Sequence, residues 1–180
     1  MRSCVRASRL AGATAVVLIS ACTTSQHPIE AQVGPKEPVD SRLVGRWSLA
    51  RDERIVVTIE RKAEELALSL RDPDQPEAEE YRVRIARVGG FSYASATRVG
   101  SPEAWTLYRF RILDEDSIVV NTVDDAFMFR AVRGASIRGI PERGPPARAT
   151  LTAMPRELRE FVRRNPDMFA GEQFELRREP

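Results

Sequence analysis

The side chains best suited to nucleophilic and metal chemistry sit near the start of this chain. Its two cysteines are Cys4 and Cys22, and its single histidine is His27. From Leu43 to Pro180 there is neither residue type. That stretch therefore has no disulfide, no thiol nucleophile and none of the usual nitrogen or sulfur ligands for zinc, copper or iron. It also lacks the commonest general base and any Ser-His or Cys-His pair. Ser92, Ser95 and Ser101 have no histidine partner, and the only lysines are Lys36 and Lys62, which leaves a Ser-Lys dyad without support. No cofactor, metal ligand or catalytic residue is assigned.

Two groups of charged residues invite a functional reading. Glu115-Asp116 and Asp124-Asp125 supply carboxylates, and two carboxylates across a cleft are enough for glycoside hydrolysis. Adjacent acids in turn-like sequence more commonly serve as caps or surface charge. Arg82, Arg84, Arg109 and Arg111 alternate with apolar residues in two segments. On one face of neighbouring strands they would form a site for a lipid phosphate, an acidic polysaccharide or an acidic protein. On a solvated face they would pair with Glu60, Glu79, Glu80 and Asp114. Trp47, Trp105, Tyr93, Tyr108 and Phe110 would line an apolar pocket or fill a core.

The elements that must position these residues have the period of strands. Ile55, Val57 and Ile59 alternate with other residues, as do Leu66, Leu68 and Leu70, then Tyr81, Val83 and Ile85, and Tyr108, Phe110 and Ile112. Gly89-Gly90, followed by Phe91 and Tyr93, signals a hairpin turn. Asp114-Glu115-Asp116 turns the chain into the continuous run Ser117 to Thr122. Asp124 to Val132 fits either a short helical turn or a strand, and Gly134 to Pro146 reads as a Gly/Pro-rich loop. Leu158, Phe161 and Val162 recur at helical spacing, with Pro155 in the first turn and Asn165-Pro166 as a stop. Phe174 and Leu176 alternate in a last short strand. The expected fold is mainly β: an antiparallel meander forming a closed or half-closed barrel, with one short C-terminal helix and a closing strand.

Before this body the chain is organised differently. Met1 to Arg9 carries three arginines and no acid, and Leu10 to Ile19 is a short apolar run. About 20 apolar residues are needed to span a bilayer, so the run reads as the apolar part of a signal peptide. It ends in Ile19-Ser20-Ala21-Cys22, which resembles the bacterial lipobox. That resemblance implies cleavage after Ala21, lipidation of Cys22 and attachment to a membrane through it. The expected organisation is a signal peptide over 1–21, the lipidated cysteine with a flexible, Pro-containing tether over 22–42, and a domain over 43–180. Three of the 28 basic residues precede Cys22 and all 26 acidic residues follow it, so the remainder carries a formal side-chain charge of −1. A nearly neutral body has no field with which to hold nucleic acid.

Two further resemblances concern the body. Gly45-Arg46-Trp47 is similar to the Gly-x-Trp opening of lipocalin-like barrels, in which the indole plugs one end. The order of Gly-x-Trp, Gly-Gly and a closing Leu-Thr-x-x-x-x-x-Leu segment (Leu151, Thr152, Leu158) is similar to bacterial lipoproteins of uncharacterised activity. These resemblances imply a noncatalytic binding or accessory domain in the cell envelope, with an envelope protein, lipid or cell-wall component as partner. The alternatives are a histidine-independent hydrolase using carboxylates and a purely structural lipoprotein. Thr23 after the cysteine implies outer-membrane sorting facing the periplasm in a Gram-negative cell, and otherwise the outer face of the cell membrane.

Overall fold

The computed structural model describes residues 23–30, 39–63, 65–101, 104–144 and 146–180. The expectations for Ile19, Ser20, Ala21 and Cys22, and for the central part of the tether, lie outside the described residues.

Eight strands close into an antiparallel barrel. They are β2 (Gly45–Leu49), β3 (Asp52–Lys62), β4 (Glu65–Arg71), β5 (Glu79–Val88), β6 (Phe91–Arg98), β7 (Thr106–Ile112), β8 (Ser117–Thr122) and β11 (Gln173–Arg178). The first seven form a meander, and β11 completes the ring by pairing with β8 on one side and β2 on the other. The expected closing strand is thus the closing strand. Alternation explains the wall: Ile55, Val57 and Ile59 on β3, Leu66 and Leu70 on β4, and Tyr81 and Val83 on β5 are buried, with less buried neighbours between them. The β5–β6 turn is made by Gly89 and Gly90 at φ +60° and +85°, a pair of positive values that suits a two-residue hairpin.

The barrel has a second layer against the outer wall of β5, β6 and β7. It consists of α1 (Asp125–Arg133), α2 (Pro155–Arg164) and a three-stranded sheet in the order β1 (Thr24–Ser25), β10 (Arg148–Leu151), β9 (Gly139–Glu142). Asp124 caps α1, its carboxylate accepting the Phe127 N–H at 3.0 Å. This helix resolves the open choice over Asp124 to Val132. α2 begins at Pro155, buries Leu158, Phe161 and Val162, and ends before Asn165-Pro166 as expected. Part of the expected loop Gly134 to Pro146 is instead β9. Its proline at 141 is tolerated because β9 is an edge strand and needs fewer donors.

The chain consequently has two cores. One fills the barrel around Trp47, Val57, Leu70 and Phe110. The other lies between wall and outer layer, around Tyr93, Leu107, Met128, Leu158 and Phe169. The rings of Tyr93 and Phe169 lie 5.1 Å apart across it.

The start of the expected tether is part of this second core. Residues 23–30 do not form a free linker: Thr23 and Ile29 are each 1% exposed and Ser25 is 0% exposed. Thr24 and Ser25 pair with Thr150 and Leu151, and Ser25 also bridges Trp105 on the barrel. The physical reason is that Ile29 and the short strand fill a gap between barrel wall and small sheet. Both partners of that pairing lie far away in sequence, so local composition gives no sign of it.

Candidate functional site

The strongest candidate site is the barrel interior. One end is sealed by an interlock that begins with Gly-x-Trp. The Trp47 indole is fully buried and donates to the Leu43 carbonyl at 3.1 Å, within the 3-10 turn Ser41–Leu43 that precedes β2. Arg178, at the last position of β11, lies over the Trp47 ring with its guanidinium carbon 4.3 Å from the centroid. Its N–H groups donate to the carbonyls of Arg42 at 2.7 Å, Glu115 at 2.8 Å and Val44 at 3.2 Å. One cation thereby joins the chain entering β2, the β7–β8 turn and the C-terminal strand. Gly45 has φ +148°, a conformation that side-chain-bearing residues rarely adopt, and a Cβ there would also push against the Arg178 guanidinium.

Above that seal the interior is apolar and incompletely filled. A cavity of about 110 Å³ is bordered by Leu66, Leu68, Ile85, Ala94, Tyr108 and Phe110, among other side chains. No lining residue carries a formal charge. The two tyrosines of this chamber are held neutral. Burial, and then the hydrogen bond to Glu79, push the Tyr81 phenol far above its ordinary value, and burial does the same to Tyr108. Tyr81 donates to Glu79 Oε2 at 2.6 Å, and Glu79 also pairs with Arg98 at 3.2 Å.

Near this polar group the chain turns out of β4 at Asp72, which is only 4% exposed. Its Oδ1 accepts the Asp74 N–H at 2.9 Å, while Oδ2 has no partner among the described residues.

The four arginines of the sequence reading are not brought together. Arg82 and Arg84 lie on β5 and Arg109 and Arg111 on β7, with β6 between the two strands. Arg84 pairs with Glu65 at 2.6 Å and lies over the Trp105 ring at 5.4 Å. Arg109 donates to the Pro166 carbonyl at 3.0 Å and lies over Phe91. Arg82 and Arg111 are exposed.

The acidic pairs are also apart. Glu115 and Asp116 lie in the turn before β8, where Asp116 approaches Arg178 at 3.8 Å, and Asp124-Asp125 follow the other end of that strand. The six residues of β8 separate them by roughly 20 Å at ~3.3 Å per residue, beyond the ~5–10 Å that carboxylate-assisted glycoside hydrolysis uses. Asp124 is a helix cap, and Asp125 Oδ1 accepts the Thr23 N–H at 2.9 Å. Of the aromatic candidates, Trp47, Tyr108 and Phe110 belong to the barrel core, whereas Tyr93 and Trp105 belong to the outer core.

Sequence reasoning missed Arg178. Its signal was the alternation itself: 174, 176 and 178 share a face, and an arginine in phase with Phe174 and Leu176 needs an aromatic or carbonyl partner at the barrel end.

The fold and interior define the class of this protein as a closed eight-stranded antiparallel β-barrel with an apolar chamber and an outer helical layer. Compared with known proteins, the chain matches no family model, no curated sequence and no solved structure.

Proposed function

We propose that this chain is a lipid-anchored, noncatalytic binding domain of the cell envelope, with a lipocalin-like barrel that receives a compact apolar group. The observation that carries the reading is the uncharged chamber of about 110 Å³ in a barrel sealed at one end by Trp47 and Arg178. An engineered apolar cavity of ~150 Å³ stays dry and takes up benzene or xenon, whereas pockets for drug-sized ligands begin near ~300 Å³. The size here suits one ring or the end of an acyl chain, and charged substrates would lose their hydration without a compensating partner. The Ile19-Ser20-Ala21-Cys22 motif supports the address: Cys22 carries the lipid, and Thr23 after it directs the protein to the outer membrane, facing the periplasm, in a Gram-negative cell.

Benzene tests the chamber directly. It should raise the thermal midpoint of the Cys22→Ser protein in a saturable way, because a ligand that binds only the folded state stabilises it. Ala94→Leu, which fills the chamber, should abolish that rise. No shift in the parent protein, or equal shifts in both, would overturn the binding reading.

A further inference from the structure

We infer that residues 23–30 mount the body flush on the lipid surface, with the β9–β10 loop and the outer face of the β1-β10-β9 sheet turned toward the headgroups. The inference rests on the reading of Cys22 as the lipid-bearing residue.

The segment that follows the anchor has no slack. The Thr23 N–H is held by Asp125 Oδ1 at 2.9 Å. Ser25 exchanges two backbone bonds with Trp105, both 2.8 Å, and the Gln26 N–H donates to the Leu151 carbonyl at 2.9 Å. Three residues beyond Gln26, the Ile29 N–H donates to Ser95 Oγ at 2.9 Å, and the Ile29 side chain lies in the outer core. The Thr23 nitrogen is itself the atom bonded to Cys22, and consecutive Cα atoms are about 3.8 Å apart. A free tether of 20 residues would instead place anchor and body roughly 25 Å apart on average.

The register gives the orientation. β1 is parallel to β10, and β9 is antiparallel to β10. Traced toward its N-terminus, β1 runs as β10 does from Leu151 to Arg148 and as β9 does from Gly139 to Glu142. The chain therefore leaves the sheet on the side of the β9–β10 loop. Thr24 and Thr150 share the outer face, their Oγ1 atoms 3.4 Å apart, and Ile140 lies opposite Thr150 in the ladder. Ile140 is 56% exposed there, one of the few large apolar side chains left in solvent.

The loop adds charge of one sign. Arg143 is exposed in this loop, while the acid just before it, Glu142, accepts from Thr150 Oγ1 at 2.8 Å. An exposed isoleucine near an exposed arginine, next to a lipid-bearing residue, fits an anionic lipid surface: the apolar group enters the interface and the cation meets phosphates.

The experiment uses the full, lipidated chain in phosphatidylcholine–phosphatidylglycerol vesicles containing a headgroup spin-labelled lipid. A fluorophore is attached through Arg143→Cys or, as a control, Glu60→Cys. Glu60 is exposed on β3, four strands from β7 in either direction around the barrel. Quenching should be several-fold stronger at 143 than at 60, and Ile29→Ser, which loosens the segment, should reduce the difference. Equal quenching at both positions on vesicle-bound protein would overturn the flush mounting while leaving the anchor intact. Protein that does not begin at a lipidated Cys22, or that stays off the vesicles, would overturn the anchor reading and this inference with it.

Discussion

At the scale of single residues, Arg178 is the most consequential side chain of the barrel. It is a charge-assisted donor to three backbone carbonyls and stacks on a fully buried indole. Its side chain retains 27% exposure, so much of its Coulombic interaction with Asp116 is screened. The hydrogen bonds and the stack remain, and together they imply a loss of ~2–3 kcal/mol in Arg178→Ala. Arg178→Lys should recover only a minor part, because an ammonium cannot reproduce a planar fork over an aromatic face. Urea titration checks this, and a loss below ~0.5 kcal/mol would mean that the seal does not depend on the guanidinium. The site was half legible at this scale. Gly45 and Trp47 announced a sealed barrel end, but the partner lies 131 positions beyond Trp47 and only barrel closure brings it there.

At the scale of elements, what could be read from sequence was whatever repeats locally. Alternation marked β3, β4, β5 and β7, Gly89-Gly90 marked a turn, and Pro155 with Asn165-Pro166 bounded α2. α1 was ambiguous because nine residues give too few turns to separate the two periods, and its clearest signal was the Asp124 cap. β1, β9 and β10 were missed for a different reason. Their pairing joins residues more than 100 positions apart or runs through a proline-bearing edge strand, so no local pattern encodes it. The same long-range packing makes Ile29 a structural residue. Ile29→Ala should cost ~2–4 kcal/mol, since the side chain is 1% exposed and its removal leaves a cavity between two layers. A change of only a few tenths of a kcal/mol in the denaturation midpoint energy would show that residues 23–30 are not docked in solution.

At the scale of the molecule, the three tyrosines report on both cores at once. Tyr81 and Tyr108 lie in the barrel and Tyr93 in the outer core, and these are the only tyrosines in the chain. Burial raises each phenol above its ordinary value of 10.0. The unfolded chain loses these protons as pH passes 10 while the folded chain keeps them, so their contribution to stability is complete below about pH 10 and is lost above it. Phenolate absorbance should therefore appear together with loss of β-sheet circular dichroism, in one alkaline transition. A tyrosine that titrates near 10 with the sheet intact would contradict the placement of its core.

The central claim is that this barrel works at a membrane to which Cys22 attaches it, and intact-mass analysis of the N-terminal peptide from the protein purified out of bacterial membranes tests it most directly. The account predicts a mature chain that begins at Cys22 and carries diacylglycerol on its thiol, with membrane association lost in Cys22→Ser. A mature protein that begins elsewhere, or an unmodified Cys22, would contradict it.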